Sequence, residues 1–187
     1  MPNKQRSQPI WLPTGNPDTT NISSTDFNAA GGQPGDLGQE FDYNDRVYQR
    51  VQLDSGTTAS TGVGVVAANE LAYWKDKTKY LVTNDAPQAY GGQTSNGFRN
   101  FVAGIFRVAG TAGNYVDILK AGDAIPVKDG SNSFTVGGTV IADSSKTKAA
   151  AAELTAGTAI TYQVIGITRV VQAGGNVTVD VSIIDTP

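Results

Sequence analysis

Every apolar run in this chain is short, and most of them stop at Gly, Asn or Asp. A sequence punctuated at that frequency has no room for long helices. It pairs short strands through turns instead, which is the cadence of an antiparallel sandwich or barrel. The segment VTVDVSII, 177–184, is the clearest instance: Val177, Val179, Val181 and Ile183 fall on one face and Thr178, Asp180 and Ser182 on the other. That period of two predicts a strand with one buried face, belonging to the core.

The same reading assigns a hairpin to AYWKDKTKYLVTND, 72–85, with Lys75 to Thr78 at its tip. FDYNDRVYQRVQLD reads as a half-buried strand, with Val47, Val51 and Leu53 inward and Tyr48, Arg50 and Gln52 toward solvent. Short strands are expected in GVGVVAANELAYW, FVAGIFRVA and AITYQVIGITRVV, and a strand pair in FTVGGTVIA. Tyr115, Val116, Ile118 and Leu119 form a strand that ends in a turn from Lys120 to Asp123. SSKTKAAAAELTAG, with Ser145 as a cap, fits a short helix or an extended surface loop equally well, because its alanines favour helix but supply no apolar stripe. The fold class is therefore all-β: a compact antiparallel β-sandwich or barrel over 41–187, carrying a long extended N-terminal arm, 1–40.

The arm is set apart by its chemistry. Pro2, Pro9, Pro13, Pro17 and Pro34 lie in it, five of the eight prolines, together with the cluster GGQPGDLG. Proline removes backbone donors and glycine favours the unfolded chain, so neither a helix nor a central strand is expected there. Its large apolar residues, Ile10, Trp11, Leu12, Ile22, Phe27 and Leu37, are too widely spaced to pack on one another. They are candidates for burial on a partner, and an indole such as Trp11 gains most from it.

The chemistry is narrowed by what is missing. The chain has no Cys and no His, which removes disulfides, thiolate nucleophiles, imidazole ligands and the usual serine triad. A net charge of −3 sets up no field that would attract nucleic acid or an acidic membrane surface. No run approaches the ~20 apolar residues of a transmembrane helix, and Ile10 to Leu12 is too short for a signal-peptide core, so the chain is expected to be made in the cytoplasm and to be soluble. GVGVVA, 62–67, matches a loose dinucleotide pattern but lacks the strand before and helix after it, so no cofactor is assigned. Asp42, Asn44 and Asp45 could offer oxygens to a hard cation, but they lack the spacing of a calcium loop and read as turn formers; no metal is assigned.

The tracts AYWKDKTKYLVTND, FRNFVAGIFRVAGTAGNYVDILKAGDAIPVKDG and ITYQVIGITRVV with VTVDVSII resemble the β-rich structural proteins of tailed-bacteriophage heads, especially decoration or cement proteins. The likeness spans 41–187, through phrases such as Gly-Asn-Tyr at 113–115, Ala-Gly-Asp at 121–123 and Val-Ile-Gly at 164–166. The arm is longer and richer in proline than a short decoration protein requires. The resemblance implies a non-enzymatic, capsid-stabilising protein on the exterior of the virion. It implies binding to the major capsid protein and to itself as a homotrimer, and the arm's apolar residues Ile10, Trp11, Leu12, Ile22, Phe27 and Leu37 are the expected partner-binding residues on their own chemistry. A head-fibre or tail adhesin that stacks host glycan on Tyr90 and Phe98 is the alternative, and a glycosidase built on two of the 17 acidic residues is a third reading.

Overall fold

The computed structural model describes residues 17–19, 21–23, 37–54, 58–59, 62–63, 65–85, 99–130, 133–144, 149–155, 157, 159–160, 162–171 and 175–184. Fifteen strands run through them: β1 (Asn21–Ile22), β2 (Glu40–Tyr43), β3 (Arg46–Leu53), β4 (Thr58–Ala59), β5 (Gly62–Val63), β6 (Val65–Val66), β7 (Leu71–Asp76), β8 (Leu81–Thr83), β9 (Val102–Phe106), β10 (Gly110–Thr111), β11 (Tyr115–Lys128), β12 (Thr139–Ala142), β13 (Ala151–Glu153), β14 (Val164–Val171) and β15 (Asn176–Ser182). The described residues include short 3-10 turns but no α-helix, and the fold is all-β.

Five ladders close a ring. β3 pairs with β11, β11 with β9, β9 with β7, β7 with β8, and β8 returns to β3. A ring this small is filled by side chains alone. Val51, Leu53, Ala72, Trp74, Val82, Ala103, Phe106, Val116 and Ile118, with Val66, form that filling, and each of the five strands contributes. The closing ladder, Gln52 and Leu53 of β3 against Leu81 and Val82 of β8, is parallel, whereas the sequence predicts antiparallel pairing throughout. Ring closure imposes the direction: β7 and β8 form a hairpin, and an odd number of strands cannot close with every neighbour reversed.

A second layer grows out of β11, whose carboxyl half leaves the ring and pairs with β15, followed by β14, β12 and β13. Its inner face supplies Ile125, Val127, Val140, Ala142, Ala151, Ile165, Val177, Val179, Val181 and Ile183, which pack with the ring's outward residues Tyr48, Leu71, Tyr73, Val102, Ile105 and Leu119. The molecule thus has two cores separated by the wall of the ring. The predicted β15 face is borne out, with Val177, Val179, Val181 and Ile183 all buried.

This second layer explains where local reading fails. Tyr48 and Arg50, expected toward solvent, are buried because β3 is covered on both faces, with Tyr48 in the outer core and Arg50 paired with Asp117. The turn expected from Lys120 to Asp123 is instead a bulge inside one fourteen-residue strand, between Gly122 and Ile125, with Ala124 at φ +53°. Asp180 of β15 makes the bulge stable by accepting a hydrogen bond from the Ala124 amide at 2.9 Å. FTVGGTVIA contributes one strand, β12, not a pair, since Val136–Gly137 is a turn fastened to β14 by the Gly137 amide on the Thr168 carbonyl at 2.8 Å. Among the described residues of the alanine-rich tract neither the expected helix nor the surface loop is found. Ala151–Glu153 is strand β13, and Ala149 to Ala151 are fully buried, small enough to lie flat on the outer core. Ser145 lies outside the described residues.

The hairpin read at 72–85 is present, with Tyr73 opposite Thr83 and Trp74 opposite Val82. Its tip lies later than the expected Lys75 to Thr78, since Lys75 and Asp76 still belong to β7; it is a 3-10 turn, Lys77–Lys79, capped by Asp76, whose carboxylate accepts from the Thr78 and Lys79 amides. FDYNDR is itself a hairpin, because Asn44 and Asp45 both take positive φ, +48° and +58°, the geometry of the tightest turns.

Candidate functional site

The arm is the element singled out by the sequence, and part of it is described. Pro17–Thr19 forms a 3-10 turn and β1 follows it, adding to the edge of β11 with Asn21 opposite Val116 and Ile22 opposite Tyr115. Asn21 fixes the register at both ends. Its amide nitrogen donates to the Ala109 carbonyl at 3.0 Å, and its side-chain oxygen accepts from Asn114 at 2.8 Å. Ile22 is buried in its own chain, at 9% exposure, and Leu37 is half-buried at a turn before β2. Ile10, Trp11, Leu12 and Phe27 lie outside the described residues, as do Tyr90 and Phe98 of the glycan reading.

Asp18 is the anchor. One carboxylate oxygen accepts from the Tyr48 hydroxyl at 2.8 Å and the Arg107 Nε at 3.2 Å, and the other from Arg46 Nη1 at 3.0 Å. Three donors on a carboxylate less than a third exposed make a charge-assisted clasp, stronger than neutral hydrogen bonds of the same number. Arg107 is held in turn by Asn69 at 2.9 Å, so the clasp is tied to the loop before β7 as well as to β3. The sequence reading missed Asp18. Its partners lie 28, 30 and 89 positions away, and a lone Asp beside Pro17 reads as a turn residue.

Burial pushes the Tyr48 hydroxyl up to about 12, with the Asp18 carboxylate adding to the rise and Arg46 opposing it. An unfolded tyrosine ionises near 10. A folded value above the unfolded one means that the contribution is complete below pH ~10 and is lost as pH rises toward ~12. We expect stability to fall across that window, more steeply in the native chain than in a Tyr48→Phe variant, which gives up about 1 kcal/mol at neutral pH for the missing hydrogen bond. Chemical denaturation measured across the window checks this. Identical slopes would show that Tyr48 does not carry the dependence; Tyr73, also raised by burial, contributes to both chains.

A second feature is a cleft of about 610 Å³ beside β12 and β13, lined by Arg99, Ser133, Asp143, Ser144, Glu153 and Tyr162 among others. The Arg99 guanidinium lies 3.9 Å from the centre of the Tyr162 ring, and its Nε donates to the Ala142 carbonyl at 2.7 Å, which holds the cation in place. Glu153 accepts from the Thr135 amide. The cleft joins two carboxylates, a fixed cation and a half-buried aromatic, a set suited to hydroxyl-rich or anionic ligands. Sequence reading left all of them unassigned, because Arg99 and Tyr162 meet across 63 positions of chain. On the outer surface of the second layer, Val136, Ile167 and Val170 are exposed.

Asp42, Asn44 and Asp45 stay at the β2–β3 turn, and no group of three metal-ligating side chains occurs among the described residues. Val65–Val66 of the GVGVVA segment is a strand paired with β10, not the start of a helix. No family model, curated protein or solved structure matches this chain.

Proposed function

We infer that this chain is a non-enzymatic decoration (cement) protein of a tailed-phage head. It binds the outside of the expanded shell as a homotrimer and reinforces contacts between capsomers of the major capsid protein. One observation supports this reading above the others: the arm is clasped to the domain at Asp18 and β1, which gives it a fixed root. A root of this kind turns arm binding into mechanical coupling, because tension on the arm is carried directly into the ring through β3 and β11. An arm that orders on binding gives up affinity per unit area, but many copies on one shell compensate, and preference for the intact shell stabilises it by linkage.

The test is co-sedimentation with expanded, undecorated heads of the encoding phage. The native chain is compared with a quadruple variant, Ile10→Ala, Trp11→Ala, Leu12→Ala and Phe27→Ala, which leaves Asp18 and β1 in place. The native chain saturates the shell and the variant loses at least tenfold in affinity. Failure of the native chain to sediment would sink the reading. The head-fibre or tail adhesin is the second reading, and the Arg99–Tyr162 cleft supports it. Retention of the native chain on host-surface glycan, abolished by Tyr162→Ala, would favour it over cement.

A further inference from the structure

Glu70 is fully buried at the entry to β7, yet its carboxylate meets two very different groups. Oε1 accepts from the Lys128 ammonium at 2.6 Å, and Oε2 accepts from the Asn84 side-chain amide at 2.8 Å. The Ala67 amide adds a third hydrogen bond on Oε2 at 3.0 Å. Asn84 is itself buried, at 2% exposure, and its carbonyl oxygen accepts no hydrogen bond among the described residues. Lys128 and Glu70 stand on hydrogen-bonded backbone, the Lys128 amide donating to the Asn69 carbonyl at 2.7 Å and the Phe106 amide to the Glu70 carbonyl at 2.9 Å, and the Asn84 side-chain amide also donates to the Val65 carbonyl at 3.3 Å.

An amine, a carboxamide and a carboxylate between them are the three groups needed to join lysine to asparagine. We propose that Lys128 and Asn84 form an intramolecular isopeptide bond, with Glu70 as the proton carrier. In water the reaction is negligible, because the amine is protonated and the amide unreactive. Here a shared carboxylate holds the partners together, which replaces a bimolecular encounter with a positioned one. Glu70 touches both the amine that must lose protons and the amide nitrogen that must gain them, so one carboxylate can serve both ends of the transfer.

Glu70 takes a proton from the Lys128 Nζ, and the freed lone pair attacks Cγ of Asn84. The new Nζ–Cγ bond forms, the Cγ–Nδ2 bond breaks, and Glu70 returns its proton to Nδ2. The second proton released by Nζ follows it, so nitrogen leaves as ammonium and Glu70 ends as it began, a carboxylate. Nothing is oxidised or reduced. The bond would tie the end of β8 to the end of β11, across the ring wall, and give a chain without cysteine a covalent brace.

Intact mass spectrometry of the full chain under denaturing conditions tests this. We expect the native chain to be lighter than its encoded mass by one ammonia, after allowing for removal of Met1. A proteolytic digest should contain a branched fragment joining the Asn84 and Lys128 peptides. Glu70→Gln should restore the full mass, and so should Lys128→Arg, which keeps a cation beside Glu70 if the first variant folds poorly. A native chain at full mass, or one that has lost ammonia without a branched fragment, as a cyclised asparagine would, overturns the proposal.

Discussion

Replacing Asp117 by alanine is expected to cost about 3–5 kcal/mol of folding stability. Asp117 of β11 stands opposite Arg50 of β3, and the two make a parallel pair of hydrogen bonds, Nε to Oδ1 at 2.9 Å and Nη2 to Oδ2 at 3.1 Å. Their side chains are 0% and 5% exposed, so removing the carboxylate strands a guanidinium that can be neither hydrated nor neutralised. The pair itself is a different matter. Desolvating two ions offsets most of their attraction, and a double replacement, Arg50→Met with Asp117→Leu, should recover most of the loss. Denaturation of the two single variants and the double one gives the coupling directly. If Asp117→Ala cost under about 1 kcal/mol, water would be reaching the pair, and the ring wall would be looser than its burial indicates.

That pair also marks the limit of what was legible beforehand. Alternation along β15 and the hairpin at 72–85 were readable because each depends on residues close in sequence, and Asn44 and Asp45 were readable as turn formers, although FDYNDRVYQRVQLD reads as one strand where the structure has the β2–β3 hairpin. Arg50 and Tyr48 were misplaced because a polar residue on alternate positions means solvent only if the second face of the strand is open. The groups that receive them come from other elements: Phe41 of β2 stacks on Tyr48, Asp18 accepts from its hydroxyl, and Asp117, 67 positions on, pairs with Arg50. The bulge at Ala124 depends on Asp180, and the strand at Ala151–Glu153 on a neighbour, β12, that accepts small side chains. Each of these is a tertiary decision that overrides local propensity. The arm was set apart by composition alone, whereas its anchor required knowing that Arg46, Tyr48 and Arg107 converge.

The two layers also divide the work. Closure of the ring removes its free edges, which would otherwise template pairing with other chains, and leaves β13 and β2 as the edges of the sheet. The arm root sits on the ring, at β3 and β11, while the cleft sits on the second layer, at β12 and β13. Load on the arm therefore need not pass through the cleft, and a variant that disturbs one can be examined without the other.

Gly166→Ala is the variant that separates them. Gly166 lies in β14 opposite Val181 of β15, and a Cβ there would run into the backbone carbonyl oxygen of Asp180, with Val179 Cγ1 at 2.8 Å. A flexible side chain could turn away, but a neighbouring strand cannot, so the β14–β15 ladder must part. We expect a loss of about 3 kcal/mol, at the upper end of ordinary overpacking because hydrogen bonds are lost with it. Gly175→Ala is the comparison. It has open space around it and only the strain of φ +89°, for a cost of about 1–2 kcal/mol. Hydrogen exchange distinguishes the two mechanisms: in Gly166→Ala the amides of β14, β12 and β13 should exchange faster while those of β3, β7 and β9 hold, since the ring closes without β14. Uniform acceleration through the ring would mean that the second layer holds the ring closed, and that the arm's root and the cleft are coupled after all.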